Sequence, residues 1–236
     1  MRLLELFSGT HSVGKIATKK GYEVYSLDRD MGPRNDDYTS TNHFREDILT
    51  WNYKQFTEGY FDIITASPVC LFWSVLRNTW IGRRSKSINP DGEIVIKADI
   101  QRDIELLGKP MVDKIFEILE YFSPKYWWIE NPKTSKMKDY ISERWSGYNY
   151  FYDVDYCMYS DWGYKKGTRF WTNITNFVPK TCDQKCGNML NNSKRHKKSV
   201  DGGGNRDNNN GMGSVKLERY RIPPKLIEDL LDGCDT

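Results

Sequence analysis

Cys70 stands just past an apolar run, Tyr60-Phe61-Asp62-Ile63-Ile64-Thr65, in the stretch Ala66-Ser67-Pro68-Val69-Cys70-Leu71-Phe72-Trp73-Ser74. In an open α/β sheet, ligands bind beyond the carboxyl ends of the strands. A thiolate placed there is a nucleophile, and Pro68 two residues earlier stiffens the turn that holds it. A lone cysteine is more often a buried structural residue. The neighbours argue otherwise. A glycine-containing turn Ser8-Gly9-Thr10-His11, the acid Asp28, the pair Glu130-Asn131 and a basic cluster ending at Arg169 follow in chain order.

Alternating strands and helices must position these residues. Leu3 to Phe7 reads as a strand, Ser12 to Lys20 as a helix, and Tyr22 to Leu27 as a second strand ending at Asp28. Asp47-Ile48 closes a weaker third segment, and Phe61 to Thr65 is the fourth. Met111, Ile115, Ile118, Leu119 and Phe122 recur at helical spacing. Pro124 stops that helix before the buried strand Tyr126-Trp127-Trp128-Ile129. Phe151 to Tyr156 and Arg169 to Ile174 form a closing antiparallel pair. The alternation implies right-handed crossovers and a mostly parallel sheet covered by helices. Residues 77–103 read as a long polar loop, and 179–213 as a segment rich in Asn, Gly and Lys.

Composition sets limits. Lys+Arg 35 against Asp+Glu 32 gives +3, so net charge alone does not argue for nucleic acid and local clusters must. Five cysteines without a regular framework read as reduced thiols of an intracellular protein. The start Met1-Arg2-Leu3-Leu4-Glu5 is too charged for a signal peptide, and no apolar run approaches the roughly 20 residues of a membrane span.

Gly9 and Gly14 alone make a weak signal, but an acid at the tip of the second strand is where a ribose diol is gripped in nucleotide-binding folds. Asp28 therefore points to an adenosine-containing cofactor, a nicotinamide or S-adenosylmethionine.

The motifs Leu4-Glu5-Leu6-Phe7-Ser8-Gly9-Thr10, Ser67-Pro68-Val69-Cys70 with Ser74, Ile129-Glu130-Asn131-Pro132 and Lys165-Lys166-Gly167-Thr168-Arg169 together resemble the DNA cytosine-5 methyltransferase family, over about residues 1–178. The likeness is to the compact phage and large-virus members, whose chain end is similar to Arg219-Tyr220-Arg221-Ile222-Pro223-Pro224. Departures are Val69, Leu71, Pro132, His11 and Lys165. The resemblance implies a Rossmann-like S-adenosylmethionine-dependent α/β fold with a catalytic domain at 1–178, a small target-recognition-like insertion at 179–213, and a tail with a returning helix at 214–236. It implies Cys70 as the nucleophile, Glu130 facing ring nitrogen 3 of the base, and Arg169 binding the base carbonyl oxygen and orienting Glu130. For the cofactor it implies packing by Phe7 and the turn Gly9, Thr10, His11, ribose binding by Asp28, and adenine contacts from Arg29, Asp47 and Ile48. Pro68 would border the same site.

A cytosine inside a duplex must be flipped out to be reached. Arg77, Arg83, Arg84 and Lys86 suit phosphates, Trp80 suits the vacated stack, and Lys165 and Lys166 add charge near the base. The expected partner is DNA, with RNA as the alternative substrate, acted on by a monomer in the cytoplasm (of a host cell if viral). A catalytically silent nucleic-acid-binding relative is the other alternative. No metal is assigned. The lesser alternative is zinc on Cys182, Cys186 and His196, with a fourth ligand from Cys157 or Cys234.

Overall fold

The computed structural model describes residues 1–29, 42–200 and 220–234. Seven strands form one sheet: β1 (Arg2–Leu6), β2 (Glu23–Leu27), β3 (Asn42–Phe44), β4 (Ile63–Ala66), β5 (Tyr126–Pro132), β6 (Phe151–Asp155) and β7 (Gly167–Thr172), in the spatial order β3-β2-β1-β4-β5-β7-β6. The pairs joining β3, β2, β1, β4 and β5 are all parallel, and β7 runs antiparallel to both β5 and β6. The order reverses at β1, with β2 to one side and β4 to the other, so a crevice opens at the carboxyl ends of these strands.

The inner strands are nearly continuous apolar runs because both faces are covered. Leu4, Leu6, Ile64, Ala66 and Ile129 face one core. Leu3, Ile63 and Trp128 face the other, with helix α1 (Ser12–Lys19) and the helix Pro224–Asp232 near the chain end. Ile222 donates its amide to Ser12 Oγ at 3.1 Å, bringing the chain end back onto α1.

Two expectations change. The third strand is Asn42–Phe44, and Asp47 instead opens the turn that follows, accepting the amides of Thr50 and Trp51 on its carbonyl. The polar stretch 77–103 is not all loop. Ile88, Val95 and Ile100 are buried, and helix α2 (Lys97–Asp103) runs through a π turn at Ile104–Gly108 into α3 (Lys109–Phe122). Pro110 explains the π turn, since proline removes an amide and its ring crowds the preceding turn at a cost of about 3 kcal/mol. Six apolar side chains of α3, from Val112 to Phe122, are buried. At roughly 1.5–3 kcal/mol each they outweigh that cost, so the helical run continues.

Candidate active site

The turn from β1 into α1 is tightly wound. Phe7, Gly9 and His11 all have positive φ, at 57°, 46° and 53°. For the two non-glycine residues this is strained backbone, which persists where the surroundings over-determine it. They do so here. Ser8 donates its amide to the carbonyl of Leu27 at 3.1 Å, and Gly9 donates to Asp28 Oδ2 at 3.0 Å. The tip of β1 is thereby tied to the carboxylate at the tip of β2.

Glu5 lies beneath this turn and its buried carboxylate accepts the amides of Val13 and Gly14, at 3.0 and 3.1 Å. Those donors are the orphan N–H groups of the α1 N-terminus. Burial pushes the Glu5 pKa up to about 8, and the two amides pull it back only in part. The charge inside the run Leu3-Leu4-Glu5-Leu6 was the available signal for this residue, since a buried acid needs donors. On the other side of Asp28, Asp47 accepts from Arg29 Nη1 at 3.3 Å and from the amide of Leu49 at 3.0 Å.

Cys70 begins a short 3₁₀ turn, Cys70–Trp73, just beyond β4. Two anchors hold it. Asn131 Nδ2 donates to the carbonyl of Pro68 at 3.0 Å. Trp73 is buried, stacks on Tyr140 with ring centres 5.6 Å apart, and accepts the Lys136 amide on its carbonyl at 3.0 Å. A Cβ added at Gly108 would lie 3.0 Å from the Trp73 ring, so glycine is what admits this close packing.

A cavity of about 1580 Å³ joins these parts. Asp28, Asp47 and Ile48 line one side, and Cys70, Glu130 and Lys166 the other. Phe7, Gly9, Thr10, Arg29, Pro68 and Lys165 also border it. Small-molecule sites usually occupy about 300–1,000 Å³, so the volume has room for a cofactor and a nucleotide together. Glu130 is buried and receives Tyr156 Oη at 3.0 Å and Lys166 Nζ at 3.4 Å.

Three sequence expectations are corrected by the geometry. His11 is buried and does not line the cavity; its ring meets His43 edge-on at 5.3 Å. Burial, aided by His43 and Lys15, lowers its pKa to about 4, so it is a neutral packing residue. Arg169 does not orient Glu130. In the β5–β7 register it lies opposite Asn131, not Glu130, and its Nε and Nη2 are bonded to Asp153 at 2.8 and 3.0 Å. The cation that reaches Glu130 is Lys166, through its Nζ at 3.4 Å. Arg77 is buried, and its Nη2 donates to Asp103 Oδ2 at 2.5 Å, so it does not present its charge to a phosphate. Trp80, Arg83, Arg84 and Lys86 are exposed, outside the cavity lining. Lys165 pairs with Asp155 at 3.1 Å and donates to the Cys182 carbonyl.

The strand order with a reversed β7, and a cavity at the switch point bordered by the Asp28 carboxylate at the tip of β2, define a Rossmann-like methyltransferase fold. The chain is 40% identical over 242 residues to the "Probable DNA (cytosine-5)-methyltransferase" of Frog virus 3 (isolate Goorha), covering 99% of this chain and 100% of that protein. It belongs to the DNA cytosine-5 methyltransferase family. A solved structure of a Spodoptera frugiperda DNMT2 mutant is also similar, with a TM-score of 0.43 and 16% identity over 77% of this chain and 53% of that one, about half its length. No protein-family model matches the chain. Among the described residues, no helix is long and apolar enough to cross a membrane.

Proposed function

We propose that this chain transfers a methyl group from S-adenosylmethionine to carbon 5 of cytosine in DNA, through a covalent adduct at Cys70. The observation that carries this reading is that one cavity is lined both by Cys70 with Glu130 and by the carboxylates of Asp28, at the tip of β2, and Asp47, in the turn after β3.

The donor set suits the cofactor. Asp28 and Asp47 offer acceptors for ribose hydroxyls and an adenine amino group, Phe7 and Ile48 offer apolar surface, and Arg29 offers a cationic plane. When bound, S-adenosylmethionine supplies an electrophilic methyl group. Cys70, as thiolate, adds to carbon 6 of the cytosine and so makes carbon 5 nucleophilic. Glu130 supplies a proton or strong hydrogen bond at ring nitrogen 3 as negative charge develops there. Lys166 and Tyr156 hold the Glu130 carboxyl in place. After methylation, the carbon-5 proton passes to a water molecule acting as base, the nitrogen-3 proton returns to Glu130, and the double bond re-forms as the Cys70 thiolate is expelled. Asn131 contributes by fixing Pro68, and through it the turn that bears the thiol. A base stacked in a duplex cannot reach a carboxylate as buried as Glu130, so the cytosine is flipped out. The protein acts as a monomer on DNA in the cytoplasm of its host cell.

The test pairs labelled S-adenosylmethionine with matched DNA and RNA, followed by nucleoside analysis. Label in 5-methylcytosine of DNA supports the proposal, label in RNA alone replaces the substrate, and no label in either ends it. DNA carrying 5-fluorocytosine should form a denaturant-stable adduct mapping to Cys70, because fluorine cannot leave as the proton does. Cys70→Ser should abolish it, since a serine hydroxyl is hardly ionised near neutral pH. An adduct on Cys157 or Cys182 would move the active centre elsewhere.

A further inference from the structure

The segment 179–200 is described throughout, yet none of its aliphatic side chains is buried and it holds no Phe, Trp or Tyr. Its two buried side chains, Asn188 and His196, are polar. Ordering a chain without apolar burial needs some other source of free energy.

The sulfur atoms of Cys157, Cys182 and Cys186 and a ring nitrogen of His196 all lie within 4.8 Å of one another. His196 Nε2 is 3.5 Å from Cys182 Sγ and 3.3 Å from Cys186 Sγ. In a tetrahedral zinc site, bonds of about 2.3 Å to sulfur and about 2.0 Å to nitrogen put neighbouring ligand atoms roughly 3.5–3.8 Å apart. Three thiolates and one imidazole are a structural zinc set with no position left for water. Two further features fit. Gln184, at φ 70°, donates its amide to Cys182 Sγ at 3.3 Å, a contact that favours a sulfur bearing negative charge. The chain between the ligands is pre-folded by Asn188, which donates to the carbonyls of Cys157 and Ser160 and accepts from the Gly163 amide, and by the bridge between Met189 and His196. Cys234 is excluded from the set. It is buried in the core just past the helix Pro224–Asp232, against the carbonyl of Leu230.

We infer that Cys157, Cys182, Cys186 and His196 bind one zinc ion that fastens the segment 179–200 to the catalytic sheet. Cys157 sits in the turn after β6 next to Tyr156, the residue bonded to Glu130. Cys182 donates its amide to Asp155 Oδ2 at 2.7 Å and, with Thr181, lines the cavity wall. The ion therefore fixes a wall of the site without touching the reaction. Its basic neighbours Lys194, Arg195, Lys197 and Lys198 are carried on the same small loop.

The experiment is metal analysis of the full chain, purified under reducing conditions without added zinc or chelator. About one zinc per chain is expected, lost in Cys186→Ser and His196→Ala and kept in Cys234→Ser. Should those two variants fail to fold, cobalt added to the chelator-treated wild type should give the absorption bands of a tetrahedral cobalt thiolate. Chelation should also make proteolysis within 179–200 roughly tenfold faster, a readout independent of methyl transfer. Zinc below about a tenth of an equivalent, both as purified and after incubation with stoichiometric zinc, overturns the inference. A disulfide joining two of the three cysteines in the reduced, purified protein does so as well.

Discussion

The two halves of the cavity are built differently. On the side assigned to the cofactor, most polar atoms come from backbone and from carboxylates that accept backbone amides: Ser8, Gly9, Asp28 at the tip of β2, Asp47 in the turn after β3 and Glu5 under the helix N-terminus, with Asp47 also paired to Arg29. On the side assigned to the base, long side chains pair with one another: Glu130 with Lys166, Asp153 with Arg169 and Lys133, and Asp155 with Lys165. The first construction is rigid before any ligand arrives. The second is a set of ion pairs that a nucleic acid, itself a polyanion, competes for. Breaking each half should therefore read out differently.

The largest effect is expected on the base side. Glu130→Gln should bind nucleic acid as the wild type does, yet lose about 10²–10⁴ in turnover, because an amide cannot deliver the proton. A rate close to wild type would remove Glu130 from the chemistry.

Next comes the rigid side, through pH. Glu5 has a folded pKa near 8 against an ordinary 4.5, so the folded state favours its protonated form. The stability this gives is complete below about pH 4.5 and is lost progressively as pH rises from there through 8, on the order of 5 kcal/mol. His11 works in the opposite sense. Its pKa is lowered from 6.5 to about 4, so its contribution is complete above 6.5 and lost as pH falls through 4, on the order of 3 kcal/mol. The two windows overlap between pH 4.5 and 6.5, where the opposite slopes offset each other. Urea melts should therefore show a net fall in stability from about pH 6.5 to 8 and a smaller loss below about 4.5. Glu5→Gln should remove the fall between pH 6.5 and 8 and uncover the full acid limb of His11, whose Nδ1 lies 3.9 Å from Glu5 Oε2. An unchanged slope between 6.5 and 8 would mean Glu5 ionises freely in the fold. Smaller again is Asp28→Ala, which should weaken S-adenosylmethionine binding by about 1.5–3 kcal/mol by calorimetry. Equal affinity would place the ribose elsewhere.

The same contrast explains what could be read from the chain. The apolar runs at β1, β2, β4 and β5, each ending in a polar residue, place strand tips directly, and Asp28 and Cys70 follow from them. Asn42–Phe44 carries one apolar residue in three and gives no strand signal. Which cation meets which carboxylate depends on register and distant contacts. One position along β5 separates Glu130 from Asn131, and so decides that Arg169 lies across from the latter. Arg77 is buried by Asp103, 26 positions further on in α2. Cys157 and Cys234 are equal candidates in sequence, and only the return of 179–200 against β6 separates them.

The smallest effect tests how the polyanion is met outside the cavity. Arg83, Arg84 and Lys86 are exposed on the segment that follows the Cys70 turn, while Arg77 is held by Asp103. A solvent-exposed cation that contacts a phosphate releases about one counterion, so its loss weakens binding by roughly 1 kcal/mol at every sequence and lowers the salt slope by about 1. Alanine at Arg83, Arg84 or Lys86 should behave this way, with turnover at saturating DNA unchanged. Arg84 should show the least effect, because its Nη1 already donates to the carbonyl of Gly92 at 3.1 Å. Titrations of each variant at several salt concentrations separate the outcomes. A slope equal to wild type in all three would take this segment away from the nucleic acid and leave the lysines beside Cys182 to meet it. A change that depends on the base sequence would instead mean that these side chains read bases, which phosphate contacts cannot do.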